Sequence, residues 1–113
     1  MSLDLSNLTI LITTYNRPTC LTTLLDYFIK SNTKVKILVL DSSEFNIKSK
    51  KINNYIDKNF IEYKSFPSET NIVQKISEGS RLVRTEFCVL CADDDFLFPS
   101  ALFKCIKFLK INK

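Results

Sequence analysis

Apolar residues fall into two alternating patterns along this chain. Leu8 to Thr14 reads LTILITT, a nearly continuous apolar and β-branched run of the kind found in strands covered on both faces. A polar stretch then leads to Pro18, and Leu21, Leu24, Leu25, Phe28 and Ile29 recur three and four residues apart, which predicts a helix with one apolar stripe. Val35 to Leu40 (VKILVL) predicts a second strand ending at Asp41-Ser42-Ser43. Asn46 to Asp57 places Ile52, Tyr55 and Ile56 on one side of a lysine-rich segment, the pattern of a weaker helix. Phe60 to Lys64 (FIEYK) predicts a short third strand, and Thr70 to Glu78 a short helix that Gly79 would end in the left-handed conformation. Glu86 to Ala92 predicts the fourth strand, and Pro99 opens a last helix in which Leu102, Phe103, Ile106 and Leu109 share a face.

Strands alternating with helices imply parallel strands joined by right-handed crossovers. The expected fold is therefore α/β, a three-layer helix-sheet-helix sandwich with a mostly parallel, Rossmann-like sheet. In such sheets ligands collect at the carboxyl ends of the strands, near a switch in strand order. Those ends are polar here: Thr13 to Arg17 after the first strand, Asp41 to Ser43 after the second, Asp93 to Asp95 after the fourth. Parallel strands bring the three clusters to one edge of the sheet.

Length and composition narrow the chemistry. The 113 residues suit one small domain, with 45% hydrophobic residues to close its core. A net charge of +4 is compatible with a polyanionic ligand or a membrane surface without demanding either, and no nucleic-acid partner is expected. No apolar run reaches the ~18 residues of a membrane span, and no secretory signal pattern is present. The expected location is cytoplasmic, with peripheral membrane attachment left open: Lys104, Lys107, Lys110 and Lys113 beside Phe103, Ile106 and Leu109 fit a membrane-surface helix, but fit an ordinary solvated face better.

The absence of histidine removes imidazole acid-base chemistry and every metal site that needs it. With Gly79 the only glycine, neither a dinucleotide G-x-G-x-x-G loop nor a Walker A loop can be written. The four cysteines include Cys88-x-x-Cys91, but within a strand a rise of ~3.3 Å per residue puts their Cα atoms roughly 10 Å apart, too far for a disulfide. Both are expected to be small core residues.

The sharpest signal is Cys91-Ala92-Asp93-Asp94-Asp95-Phe96. Three adjacent carboxylates repel unless a cation, a proton or open water relieves them. Capping of the last helix is a poor account, because Pro99 starts that helix too late for Asp93 or Asp94 to reach it. The choice lies between a solvated loop and a site for something positive.

These segments together, TTYNRP after the first strand, VLDSS at the end of the second and TEFCVLCADDDFLFPSAL, resemble a nucleotide-sugar glycosyltransferase of family 2, with the fold called GT-A. The likeness runs over essentially the whole chain but over only the donor-binding half of a typical family domain, so residues 1–113 are read as one such domain without its acceptor half. It implies inverting glycosyl transfer from a nucleoside diphosphate-sugar, a UDP-sugar first of all, to an unknown acceptor. It also implies a divalent cation, Mg²⁺ or Mn²⁺, which offsets the charge building on the departing diphosphate. Asp95 and Asp93 are the implied metal ligands; in an extended segment they would point to the same side and Asp94 to the other. Asp41 matches the acid that hydrogen-bonds the nucleobase, and Thr13 and Tyr15 match positions lining the base and ribose pocket. Asp94, Arg17 and Lys75 complete the nucleotide-sugar set, the last two toward the diphosphate, though Lys75 has no firm alignment. Plainer roles stand beside these: Tyr15 packed on the first helix, Asp41 and Asn16 as turn or cap residues.

Inverting transfer needs a base to take the acceptor's proton. In the family it comes from beyond the Asp-x-Asp segment, and here no Asp, Glu or His follows Asp95. The expectation is an incomplete domain whose open sheet edge favours self-association. A non-catalytic nucleotide- or metal-binding module is the alternative. Receiver domains and haloacid-type phosphatases place their acids after the first strand, where this chain reads TTYN.

Overall fold

The computed structural model describes residues 4–31, 33–44, 53–55 and 60–112. Along them run β1 (Asp4–Thr14), α1 (Pro18–Lys30), β2 (Lys34–Asp41), β3 (Ile61–Ser65), α2 (Ile72–Leu82), β4 (Phe87–Ala92) and α3 (Pro99–Ile111). The helix expected over Asn46–Asp57 lies mostly outside the described residues; of that stretch, 53–55 are helical.

The strands form one all-parallel sheet in the order β3-β2-β1-β4. β1 sits inside the sheet, between β2 and β4, with side chains alternating between faces. Leu8, Ile10 and Ile12 face one side, where Leu21, Leu24, Leu25 and Phe28 of α1 close over them together with Val35, Ile37, Val39 and Ile61. Ile106 of α3 joins the same core. On the other side Leu11, Leu38, Leu40 and Phe66 form a smaller cluster, and α2 packs there against β1 and β2. The three layers are thus helix, sheet and helix. The chain steps from β1 through β2 to β3, then returns past β1 to β4 with its crossover helix on the opposite face, as right-handed connections require. That reversal puts the switch point between β1 and β4.

β1 begins four residues before the predicted run. A register shift between Leu5 and Thr9 lets both Leu5 and Leu8 reach the core, so the ladder to β2 extends back to Asp4.

Gly79 does not end its helix. It lies within α2, no glycine has positive φ, and the helix runs on to Leu82 before Val83 turns extended. Tertiary packing accounts for the residue: a Cβ at position 79 would stand 2.6 Å from Leu40 Cδ1, and Leu40 is fully buried. Glycine here is what lets α2 settle onto β2.

β4 has a covered face and an open one. Phe87 and Val89 pack toward the core and Cys91 is buried, whereas Cys88 is exposed and Leu90 is 51% exposed, because α2 covers β1 and β2 and not this edge strand. Cys88 is therefore not a core residue. It points away from Cys91, whose thiol is pushed up to about 11 by burial, then by Asp95, Asp93 and Asp94. On α3, Leu102 and Phe103 pack against the core beside Ile106, but Leu109 is exposed, as are Phe108 and Ile111. No described helix is long and apolar enough to cross a membrane.

The contact at Gly79 sets one expectation. Helix propensity alone would make Gly79→Ala stabilising by about 1 kcal/mol, but overpacking against Leu40 reverses the sign to a net loss of about 1 kcal/mol in urea denaturation. In a Leu40→Ala background, where the blocking side chain is gone, the alanine becomes neutral or stabilising.

Candidate functional site

Thr14, the last residue of β1, joins three elements. Its hydroxyl donates to Asp93 Oδ2 at 2.8 Å, and its carbonyl accepts from Ser42 N at 3.2 Å and from Lys75 Nζ at 3.1 Å. Side-chain alternation explains the first contact: Thr13 pairs with Ala92 in the ladder, so Thr14 and Asp93 stand one step further on, side by side. Lys75 comes from α2, one helical turn before Gly79 and on the same face. It is only 5% exposed, and its ammonium also donates to Ser42 Oγ at 2.9 Å. Burial lowers the Lys75 pKa, and the nearby charges of Asp41 and Asp93 oppose that shift.

The loops after β1 and β2 are stitched together. Asn16 has a positive φ of 55°. Its amide donates to Ser43 Oγ at 2.8 Å, and its side-chain oxygen accepts from the amide of Glu44 at 2.9 Å. Asn tolerates the left-handed region better than most residues, and both of its polar ends are used here. The Tyr15 hydroxyl donates to Glu44 Oε1 at 2.5 Å, a bond that raises the tyrosine's pKa, and the ring is partly exposed. Asp41 is buried behind these loops. Its Oδ1 accepts from the amide and hydroxyl of Ser43 at 2.8 and 2.5 Å, and its Oδ2 from the hydroxyl of Tyr63 on β3. Asp41 thus caps the turn that presents Ser42.

The aspartate trio is not extended. β4 ends at Ala92, and the Asp95 amide donates back to the Ala92 carbonyl at 3.1 Å, which makes residues 92–95 a turn. Strand alternation therefore stops short of the acids. Asp93 is buried and Asp94 exposed, yet both reach one nitrogen: Arg17 Nη1 lies 3.3 Å from Asp93 Oδ1 and 3.2 Å from Asp94 Oδ2. The Asp95 side chain is exposed and makes no polar contact among the described residues. Behind the turn, Tyr27 of α1 donates to the Leu97 carbonyl at 3.0 Å and stacks edge-on with Phe96, 5.1 Å between centroids.

A cleft of about 430 Å³ opens at this edge, lined among others by Thr13, Thr14, Tyr15, Arg17, Lys75, Asp93 and Asp94. Of the candidate site residues singled out from sequence, Thr13, Tyr15, Arg17, Lys75, Asp93 and Asp94 line this one space, whereas Asp41 and Asp95 do not. Thr14 and Ser42, from the polar strand ends, line it too, and Ser68, Thr70 and Ile72 line it without having been anticipated. The last three belong to the approach and first turn of α2, where Asn71 and Gln74 form a reciprocal capping box at 2.8 and 3.1 Å. The sequence TNIVQ carried that signal. Tyr63 was also missed, since a tyrosine at a strand's core-facing position reads as packing.

Among the described residues no group of three His, Cys, Asp or Glu side chains forms a ready-made metal cage. A hard cation such as Mg²⁺ requires less than that, commonly one or two carboxylates with water and substrate phosphates filling its other positions. Asp93 and Asp94 already converge on one cationic nitrogen, so the donor set fits a small oxygen-seeking ion.

The depressed pKa of Lys75 sets a pH dependence. A lysine whose folded pKa lies below its unfolded value of ~10.4 binds fewer protons in the folded state, so stability rises as pH climbs through that window. In urea titrations between pH 7 and 10, wild type should gain stability relative to Lys75→Met. A flat difference would show that the ammonium titrates as if in water.

Comparison with known proteins adds one finding. The sequence profile of glycosyl transferase family 2 matches residues 9–113. No curated protein matches the chain.

Proposed function

Because the chain belongs to glycosyl transferase family 2, we propose that the cleft at the strand ends takes the diphosphate of a nucleoside diphosphate-sugar for inverting glycosyl transfer, with UDP-sugar as the preferred donor. Members of this family transfer a glycosyl group from a nucleotide-sugar to an acceptor and generally use a divalent metal. The observation that carries the proposal is the meeting of Arg17, Lys75, Asp93 and Asp94 around one cleft at the switch point of a parallel sheet.

The residues divide by charge. Arg17 and Lys75 suit the diphosphate: the guanidinium as a planar donor fork, the ammonium as a buried positive point with one proton left after Thr14 and Ser42 are served. Asp93, with Asp94 and Asp95 next to it on the same turn, would hold Mg²⁺ or Mn²⁺. Bound there, that ion supplies charge neutralisation for the leaving diphosphate. Tyr15 offers an exposed ring face to a flat base while Glu44 holds its hydroxyl, and Thr13 lines the same wall. Asp41 is proposed as acceptor for the ring N–H of uracil. A carboxylate has about four lone-pair sites, so Ser43 and Tyr63 do not exhaust it.

Calorimetric titration with UDP tests this reading. Binding is expected with Mn²⁺ present and lost on chelation, and Asp93→Ala and Asp94→Ala should each weaken it about ten-fold or more, the scale of removing one close opposite charge. Equal affinity with and without metal, or variants that bind as wild type does, would overturn the proposal.

A further inference from the structure

Two carboxylates on adjacent residues, one of them buried, repel each other, and in this structure one side chain offsets that charge. Arg17 Nη1 is 3.3 Å from Asp93 Oδ1 and 3.2 Å from Asp94 Oδ2, and the two acids raise its pKa further, Asp93 most. The two ends of the contact differ in freedom. Asp93 is fixed: it is 6% exposed, and its other oxygen accepts from Thr14. Arg17 is fixed only at its backbone, where its carbonyl accepts from Leu21 N at 3.0 Å to start α1. Its side chain is 54% exposed, and the guanidinium makes no other polar contact among the described residues. Lys75, the other cleft cation, is buried and tied to Thr14 and Ser42, so it cannot trade partners as cheaply.

We propose that Arg17 is a resident counter-ion that holds the cation position between Asp93 and Asp94 until a divalent ion arrives together with a diphosphate. The inference rests on the diphosphate reading of the cleft given above. A guanidinium has no lone pair to offer a metal, and its charge repels one, so the two cations exclude each other at these oxygens. Displacing Arg17 with metal alone strands its charge in water. A diphosphate changes the balance, because phosphate oxygens accept the same donor fork, often two at a time. The side chain then moves from carboxylate to phosphate without losing a partner. Metal and diphosphate therefore bind with positive coupling, and Arg17 carries the coupling. Asp93 also keeps a partner throughout, which matters because a buried carboxylate left alone is costly.

The test measures Mn²⁺ binding by electron paramagnetic resonance, with and without UDP, on wild type, Arg17→Gln and Arg17→Lys, with far-UV circular dichroism to establish that each is folded. Without nucleotide, Arg17→Gln should bind Mn²⁺ about ten-fold more tightly than wild type, and Arg17→Lys, which keeps the charge, should stay within about three-fold of it. With Mn²⁺ saturating, UDP should bind Arg17→Gln about ten-fold more weakly, so the same substitution moves the two affinities in opposite directions. Nucleotide-free Mn²⁺ affinity that is unchanged or weaker in Arg17→Gln overturns the proposal. A measurement on wild type guards against a variant that fails to fold: the Arg17 side-chain NMR signals should shift on adding Mg²⁺ with UDP, and signals unmoved at saturation also overturn it. Failure of wild type to bind UDP at all would count instead against the reading of the cleft, and the nucleotide-free Mn²⁺ arm would still decide the role of Arg17.

Discussion

Thr14 ends the central strand with a hydroxyl and a carbonyl that must both be satisfied away from water. The hydroxyl goes to Asp93 after β4, the carbonyl to Ser42 after β2 and to Lys75 on α2. One buried residue thereby ties the loops after β2 and β4 and the helix α2 to the end of β1. Leaving such a buried polar group unpaired costs about 1–3 kcal/mol, a large share of what a domain of this size has to spare. The arrangement is possible because β1 has a parallel neighbour on each side, so both neighbours deliver their following loops to the same end.

Charge around this hub is graded by depth. The buried ammonium of Lys75 is held by neutral oxygens and by the longer-range pull of Asp41 and Asp93, and its lowered pKa records the desolvation. Asp93 is equally deep but carries a hydroxyl on one oxygen and an exposed guanidinium on the other. An ion pair with one partner largely in water contributes little to stability. The Arg17 contact is thus better placed to be exchanged than to hold the fold together, whereas the Thr14 contacts are structural.

Much of the architecture was legible because long apolar runs have few ways to be buried. LTILITT and VKILVL could only be inner strands, and the polar residues that follow them had to meet at one edge once the strands were parallel. What escaped was everything decided by partners distant in sequence. Gly79 follows a helical pattern and so looked like its end; the Leu40 side chain, remote along the chain, is why it sits in the middle. Asp93 and Asp95 looked paired by strand alternation, but a hydrogen bond from the Asp95 amide to Ala92 bends the segment and pairs Asp93 with Asp94 through Arg17. Tyr63 and Ser42 carry no local mark of their roles, since each is defined by what it meets across the sheet.

The glycine contact reaches further than the packing of one helix. Gly79 and Lys75 stand one turn apart on the face of α2 that meets the sheet, so the absence of a methyl group at 79 sets how far the lysine can descend toward the strand ends. The helix backbone at Gly79 is seated directly on the Leu40 side chain. A ligand that draws on the Lys75 ammonium therefore pulls against the same helix-sheet seam that Gly79 makes possible.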